Sequence, residues 1–88
     1  MTTNITWTDG ELRIVVEGDI DERGAEQLKE QFREWQRHET RQVTVDLGRV
    51  NHLGSAGIGK ILVLYKDLAA RNARLALVNV PGSIYGLL

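Results

Sequence analysis

The chain has 88 residues, of which 42% are apolar and only one is proline, so we expect one small globular domain and no extended disorder. Eleven basic and twelve acidic residues give a net charge of −1, which supplies no overall field that would attract nucleic acid or an anionic membrane. The absence of cysteine excludes a disulfide, a thiolate nucleophile and a zinc-thiolate site.

The N-terminus lacks the features of a signal peptide, and no apolar run approaches the roughly 18 residues of a membrane span, so a cytoplasmic protein is expected.

The first half of the chain predicts a β-hairpin followed by an amphipathic helix. Residues 5–7 and 12–16 flank Asp9-Gly10, a dipeptide suited to a two-residue hairpin turn. Asp21 is the expected N-cap of the helix. The core side of this helix is predicted to carry Ala25, Leu28, Phe32 and Trp35. The pairs expected on its solvated side are Glu26 with Lys29, Glu30 with Arg33, and Glu34 with Arg37.

The second half predicts a strand, a loop, a long helix and another strand. Residues 43–47 alternate in polarity, which is typical of a strand, and a loop is expected to run from Gly48 to Gly54. Ser55 precedes a long apolar stretch and is therefore the expected N-cap of the second helix. The core stripe of that helix is predicted to be Ile58, Ile61, Leu62, Tyr65, Leu68 and Ala69.

The C-terminal part predicts a last strand and the beginning of a third helix. Residues 75–80 are almost continuously apolar, which is typical of a strand buried on both faces of a sheet. Pro81-Gly82 turns the chain, and Ser83 is expected to cap a helix that begins at Ile84. The order ββαβαβ with a helical start indicates an α/β fold in which helices pack on a mixed sheet.

The segment Gly54 to Lys60 matches the spacing G-x-x-x-x-G-K of a phosphate-binding loop, in which backbone amides and a lysine hold nucleotide phosphates. However, Ile61 stands where a serine or threonine hydroxyl should bind magnesium, and no later strand ends in an acid that would complete the metal site. A nucleotide-binding protein is therefore the less favoured hypothesis.

Acidic residues and a histidine suggest two further sites around Ser55. Ser55 with His52 and either Asp46 or Asp21 could be imagined as a hydrolase triad, but no G-x-S-x-G elbow surrounds the serine. Asp19, Asp21 and Asp46 would make at best a weak magnesium site if their strands were neighbours. Helix capping and turn formation explain two of the three more simply, so no metal, cofactor or catalytic residue is expected.

The second helix carries apolar residues on the side that should meet water. At about 100° per residue, Ala56, Lys60, Val63 and Asp67 fall opposite the predicted core stripe. Val63 and the nearby Leu64 would then be exposed. We expect a protein partner to cover this side of the helix.

Ser55 is also a candidate for modification. A phosphoryl group there would add nearly two negative charges at the positive end of the second helix, where they are tolerated, and would change the surface that a partner must meet. A phosphorylation switch and a simple N-cap serine are therefore both open at this stage.

From about Ile14 to Val80 the sequence resembles the anti-sigma factor antagonists of the STAS-domain class. The resemblance rests on V-E-G-D-I-D, V-T-V-D-L, L-G-S-A-G-I-G, L-Y-K and R-L-A-L-V-N-V, in this order. It implies a single STAS-like domain over residues 1–88, cytoplasmic and non-enzymatic, that binds an anti-sigma factor serine kinase. That kinase would phosphorylate the domain and release it, and a phosphatase would restore binding.

The same resemblance implies roles for individual residues. Ser55 would be the phosphoacceptor, and Asp21 would match the acid that sits beside it. Independently of the resemblance, the order of the elements places Asp46 and Gly54 close to Ser55. The docking face would be formed by the second helix and its preceding loop, with Ala56, Gly57, Gly59, Lys60, Val63, Leu64 and Asp67 as the contact residues.

Two departures from the family pattern affect these expectations. Gly54 stands where the family has an aspartate before the phosphorylated serine, so an unphosphorylated STAS scaffold subunit of a transporter or signalling complex remains the alternative. The family normally continues with a full C-terminal helix, whereas this chain stops at Leu88, which indicates either a shortened member of the family or a trimmed one. The packing surface left bare would favour self-association.

Overall fold

The computed structural model describes residues 1–87 and contains one four-stranded mixed sheet with the strand order β1-β2-β3-β4. The elements in chain order are β1 (Thr2–Thr8), β2 (Glu11–Ile20), α1 (Glu22–Phe32), a 3₁₀ helix (Arg33–Arg37), β3 (Gln42–Leu53), α2 (Ser55–Ala70), β4 (Arg74–Val78) and α3 (Gly82–Tyr85). This is the α/β fold that the element order predicts. No helix within residues 1–87 combines the length and the hydropathy needed to cross a bilayer.

The β1–β2 hairpin forms as predicted. Asp9 and Gly10 have φ angles of +50° and +85°, which a two-residue turn of this hand requires. The antiparallel register sets Ile5 opposite Ile14 and Trp7 opposite Leu12. Trp7 also stacks on His38, with the ring centroids 5.3 Å apart.

The strands β2, β3 and β4 are parallel, so α1 and α2 are the crossover connections between them. The two helices contact each other and pack on one face of the sheet, α1 against β2 and α2 against β3 and β4. That face carries the alternate residues of the inner strands, which form the core with the buried sides of the helices. The strand residues concerned are Leu12, Ile14, Val16, Val43, Val45 and Leu47.

Two predictions about the strands are wrong. The expected loop after Leu47 is a continuation of β3, which runs to Leu53 and pairs with β2 through two register shifts. Within residues 1–87 the strand β4 lies at the edge of the sheet, and its residues 75–78 are half-buried rather than buried on both faces. A run of apolar residues does not reveal how many neighbouring strands a strand has.

The buried side of α2 also differs from the prediction. Its fully buried residues are Gly57, Ile61, Leu64 and Leu68. Leu62 and Tyr65, predicted to be core, are 55% and 56% exposed, and Ala69 is exposed as well. Leu64, predicted to meet water, is only 3% exposed. The helix is apolar on most of its circumference, so contact with α1 and the sheet decides which side is buried.

The 3₁₀ helix after α1 carries Trp35, whose side chain is buried in the core. The guanidinium of Arg71, at the C-terminal end of α2, lies 5.8 Å from the centre of the Trp35 ring. This cation–π contact closes the end of the core between α1 and α2. The α2 helix ends there as predicted, and Asn72 follows with a φ of +58°.

The C-terminal helix α3 is a single turn, as expected from the sequence. It begins at Gly82 after Pro81 rather than at Ile84, so Ser83 lies inside the helix and is not its cap. The side chain of Ile84 is buried in the core. Proline precedes the first helical residue because its fixed φ is compatible with helix entry.

Candidate functional site

Two helices begin at the same end of the sheet, where β2 and β3 finish. Ile20 and Leu53 are paired in register as the last residues of these strands. The amide of Gly54 donates a hydrogen bond of 3.0 Å to the carbonyl oxygen of Ile20. Only one residue separates β2 from α1 and β3 from α2. The N-termini of the two helices therefore lie side by side, and Asp21 and Ser55 lie at the same edge of the sheet.

Asp21 is the N-cap of α1, as predicted. Its Oδ1 atom accepts a hydrogen bond of 2.8 Å from the amide of Gly24. This hydrogen bond holds the pKa of the Asp21 carboxyl below its ordinary value, because it favours the charged form. The carboxylate therefore stays ionised and exposed at the edge of the site.

Ser55 is not the N-cap of α2, and the prediction is wrong by one residue. Gly54 is the cap, with an extended backbone, and no side chain caps the helix. The first intrahelical hydrogen bond runs from the amide of Ile58 to the carbonyl of Gly54, at 3.1 Å. Ser55 is the first helical residue and is exposed. The amides of the first turn have no acceptor within the helix, so this end of α2 favours a negative charge.

The two glycines nearest this serine differ in what surrounds them. A Cβ atom on Gly57 would lie 2.7 Å from side-chain atoms of both Ile20 and Leu53. Gly57 is buried and allows α2 to approach the sheet closely, so its predicted place on the docking face is wrong. A Cβ atom on Gly54 would meet only ordinary contacts, the nearest being the Ile20 carbonyl oxygen at 3.5 Å. A larger residue therefore fits at position 54.

The seam between α1 and α2 forms an exposed groove. The Nζ atom of Lys60 lies 3.5 Å from Oε1 of Glu26 and bridges the two helices across this seam. On either side of the bridge the surface is concave, and Val63, which is 55% exposed, borders both depressions. Leu64 forms part of the floor, and its predicted exposure is wrong. The sequence predicted that Glu26 pairs with Lys29 on the same helix. Sequence spacing could not identify Lys60 as its partner, because Lys60 lies on another helix.

The remaining predicted contact residues are distributed around this groove. Ala56 and Gly59 line the depression nearest Ser55, together with Glu22 of α1. Asp67 lines the other depression, where Lys29 of α1 also lies. The contribution of α1 to this surface was not predicted, because the facing of two helices depends on tertiary packing.

Asp46 lies away from Ser55, so its predicted place beside the phosphoacceptor is wrong. It accepts hydrogen bonds from the amide of Gly48 at 2.9 Å, from Nδ2 of Asn79 at 3.1 Å and from Nη2 of Arg13 at 3.3 Å. These bonds, the one from Gly48 above all, lower the pKa of the Asp46 carboxyl. Because side chains alternate along a strand, Asp46 lies on the face of the sheet that is opposite the helices. The strand β3 then continues for roughly 20 Å before α2 begins.

The hydrolase triad and the magnesium cluster are not assembled. Within residues 1–87, no hydrogen bond joins Ser55 to His52. In the same part of the chain, no three acidic, histidine or cysteine side chains converge on one point. Asp46 is committed to its three hydrogen-bond donors on the other face of the sheet. The residues proposed for catalysis and for metal binding therefore do not form one site.

The phosphate-loop hypothesis fails on local geometry. Gly54 is the only residue between the end of β3 and the beginning of α2. The residues that should wrap around phosphates are instead helical, and Lys60 is paired with Glu26. Ile61, at the magnesium-ligand position, is buried in the core. The spacing of small residues reflects close helix packing at Gly57, not a nucleotide site.

Comparison with known proteins agrees with this fold. The family model described as "Mlab, STAS domain" matches residues 3–88, and the chain belongs to the STAS-domain family. Solved structures with the same fold include SpoIIAA, an anti-sigma factor antagonist, in its unphosphorylated form. The match has 18% identity and a TM-score of 0.83, and it covers 99% of this chain and 81% of that one.

Two further structures extend the comparison. The phosphorylated form of the Bacillus cell fate determinant SpoIIAA matches with 19% identity and a TM-score of 0.81, over 98% of this chain and 79% of that one. An anti-sigma factor antagonist from Mycobacterium paratuberculosis matches with 25% identity and a TM-score of 0.76, over 86% of this chain and 64% of that one. The likeness to SpoIIAA, at such low identity, concerns the fold.

Proposed function

We propose that this chain is an anti-sigma factor antagonist, a protein-binding module that acts without catalysis in a cytoplasmic partner-switching pathway. In its unmodified form it binds a kinase-type anti-sigma factor and thereby frees a sigma factor. Phosphorylation of Ser55 releases the partner, and a phosphatase restores binding. The observation that carries this proposal is the position of Ser55, exposed as the first residue of α2 and directly beside the α1–α2 groove.

The chemistry of a switch at this position is favourable. A phosphoryl group carries a charge of about −1.5 to −2 at neutral pH and accepts strong hydrogen bonds. The first-turn amides of α2 can donate to it, and no side chain competes for them. Asp21 already contributes a negative charge at the same edge. Modification would therefore leave the domain folded while making the entrance to the groove strongly negative.

The groove provides the docking surface in this proposal. Val63 offers an apolar side chain between two depressions, and the Lys60–Glu26 pair lies between the helices beside it. A partner would place apolar side chains over Val63 and polar groups near Lys60 and Asp67. Apolar contact supplies the affinity, and the charged residues at the rim determine the orientation.

The experiment that tests the switch uses the two serines of the chain. Wild type, Ser55→Ala and Ser83→Ala are incubated with ATP in lysate of the source cells, separated on a phosphate-affinity gel and mapped by mass spectrometry. Ser83 is also exposed and helical, so it is a matched control. A shifted band that is lost only in Ser55→Ala is the expected result. No shift, in lysate where another known phosphorylation proceeds, would contradict the switch.

One observation favours a second candidate function. Gly54 provides no carboxylate before Ser55, and a kinase that requires this charge would not recognise the site. The alternative is a STAS scaffold subunit of a transporter or signalling complex that is never phosphorylated. Under this alternative, Ser55→Ala and Ser55→Asp retain the same partner with equal affinity, whereas the switch predicts that Ser55→Asp releases it.

A further inference from the structure

The depression of the α1–α2 groove that lies farther from Ser55 has an apolar floor, and we call it the distal pocket. The floor is formed by Phe32 of α1, Trp35 of the 3₁₀ helix and Leu64 of α2. These three side chains belong to the hydrophobic core, so the core holds them in place. The distal pocket therefore presents apolar surface that the fold itself leaves uncovered.

The distal pocket is preformed. The Oγ1 atom of Thr40 donates a hydrogen bond of 2.9 Å to the carbonyl oxygen of Trp35, which ties the 3₁₀ helix to the segment that leads into β3. The guanidinium of Arg71 lies over the indole ring and restrains the same residue from the end of α2. A site that already has its bound shape loses little conformational entropy on binding. A partner can therefore use this pocket without rearranging the domain.

The volume of the distal pocket favours a single side chain as its occupant. The pocket measures about 210 Å³, whereas sites for cofactors and drug-sized molecules measure about 300–1,000 Å³. Binding energy at protein interfaces is concentrated in a few large side chains that fill pockets of the other surface. One aromatic or leucine side chain of a protein partner therefore suits this site.

The rim of the distal pocket is positive on the side of α1 and the 3₁₀ helix. Lys29 and Arg33 lie there, one helical turn apart. The predicted partner of Lys29, Glu26, contacts Lys60 instead, and Lys29 takes part in no ion pair within residues 1–87. Arg33 contacts Glu30 at 3.5 Å, but both side chains are largely exposed, and such pairs contribute little. This side of the rim can therefore accept a carboxylate from a partner.

The opposite wall of the pocket carries the other sign. Asp67 of α2 lines this wall, is exposed, and forms no ion pair in the part of the chain that the structure describes. It repels an acidic group and attracts a basic one. A bound segment therefore has to turn its carboxylate towards Lys29 and away from Asp67, which fixes its direction across the two helices.

We propose that the distal pocket receives one large apolar side chain, aromatic or leucine, from a protein partner, and that a carboxylate beside this side chain pairs with Lys29 and Arg33. The inference rests on the proposed function in one respect, namely that a protein partner docks in the α1–α2 groove. It specifies the chemistry of the docking segment. It requires neither phosphorylation of Ser55 nor the activity of a kinase.

Selection from a random peptide library displayed on phage, with the purified unmodified chain as the target, tests the proposal. The enriched peptides should share a large apolar residue with an aspartate or glutamate close to it in sequence. A synthetic copy should bind with a dissociation constant between about 1 μM and about 1 mM, because a single anchor makes a small contact. In NMR spectra the resonances of Lys29, Trp35 and Val63 should shift on binding, whereas those of Leu62, on the other flank of α2, should not.

Two charge reversals separate the rim of the pocket from charge in general. Lys29→Glu should weaken binding of the selected peptide about tenfold or more, because it sets like charges against each other. Lys66→Glu is the matched control, since Lys66 is also an exposed lysine within a helix but does not line the pocket. It should leave the affinity unchanged. Circular dichroism of both variants checks that the fold is retained.

The variant Ser55→Asp keeps failure of this inference apart from failure of the switch. Ser55 does not line the distal pocket, so the variant should bind the peptide as wild type does. Loss of the peptide in Ser55→Asp would place it in the depression nearest Ser55 and overturn the inference. A library that yields no binding peptide, enriched peptides that share no acidic residue, or binding that survives Lys29→Glu would overturn it as well. None of these results would alter the phosphorylation test of Ser55, which uses no peptide.

Discussion

Gly57 lies directly against the side chain of Ile20, so closely that a Cβ atom on the glycine would stand 2.7 Å from Cγ2 of the isoleucine. Ile20 is the last residue of β2 and Gly57 belongs to the first turn of α2. This contact fixes the height of α2 above the sheet and, with it, the position of Ser55. Gly57, which the sequence predicted to contact a partner, therefore packs beneath the site and holds it in position.

Replacement of this glycine should destabilise the domain. We expect Gly57→Ala to lower the free energy of unfolding by about 1–3 kcal/mol, because the extra methyl group overpacks the contact with Ile20. Gly59→Ala is the matched control, since nothing lies within 4 Å of its Cβ position. There we expect a gain of about 0.5–1 kcal/mol from helix propensity. Urea unfolding followed by circular dichroism measures both, and equal effects would show that Gly57 is not closely packed.

An aspartate at position 54 should be accepted by the fold and should improve the switch. Its side chain has room and can cap α2, which has no side-chain cap. We expect Gly54→Asp to raise the free energy of unfolding by about 0.3–1 kcal/mol. In the phosphorylation assay, a larger shifted fraction than in wild type is expected. Gly54→Asn supplies the cap without the charge, so equal phosphorylation of both variants would mean that the charge is not recognised.

The position of the docking groove predicts different effects on partner binding for substitutions at the adjacent residues Val63 and Leu62. Val63→Asp should abolish capture of the kinase-type partner, because it places a charge in the centre of the proposed contact. Leu62→Asp, on the other flank of the helix, should leave capture unchanged. Both variants should unfold at nearly the wild-type temperature, since both side chains are more than half exposed. Loss of capture in Leu62→Asp alone would contradict this prediction and place the docking surface on the Leu62 side of α2.

Asp46 should make the stability of the domain dependent on pH in the acid range. Its pKa is lowered below the ordinary value of 3.8 by the Gly48 amide and then by Asn79 and Arg13. A carboxyl with a depressed pKa in the folded state contributes stability above its unfolded pKa and loses it as the pH falls through the folded pKa. We expect Asp46→Ala to cost about 1 kcal/mol at pH 7.

The pH profile of this variant provides the check. Urea unfolding at a series of pH values should give a difference between wild type and Asp46→Ala that shrinks as the pH falls below about 4. Asp9→Ala, in the exposed hairpin turn, serves as a carboxylate control outside this network. A difference that stays constant down to pH 2 would mean that the charge of Asp46 makes no contribution.

Nucleotides should leave the domain unaffected. Ligands that bind the folded state raise its unfolding temperature by mass action. Because residues 55–60 lie within α2 and Lys60 is paired with Glu26, we expect no rise with millimolar ATP or GTP plus magnesium. A rise that disappears in Lys60→Ala would revive the phosphate-loop hypothesis.

Local patterns predicted the parts of the fold that depend on local physics. The hairpin at Asp9-Gly10 and the cap at Asp21 follow from turn and capping chemistry within a few residues. Ser55 was placed one position wrong because the end of a strand before a helix carries no sharp signal. These features could be predicted, apart from errors of about one residue at the boundaries.

The features that could not be predicted depend on tertiary neighbours. Leu62 and Leu64 are the same residue type two positions apart, and only the contact with α1 decides that Leu64 is buried and Leu62 exposed. Asp46 was assigned to the site from the order of elements, but the length of β3 and its alternation place it elsewhere. The groove could not be predicted, because it depends on the packing that brings Glu26 of α1 to Lys60 of α2.

The two tryptophans give this domain built-in optical reporters of separate events. Trp35 is buried beneath the guanidinium of Arg71, so its emission should shift to longer wavelength only when the contact between α1 and α2 is lost. Trp7 is 42% exposed and stacks on His38, so its emission should respond to loss of this contact between β1 and the end of the 3₁₀ helix while the core is intact. With Trp7→Phe, fluorescence would follow the opening of the α1–α2 seam alone, without any added label.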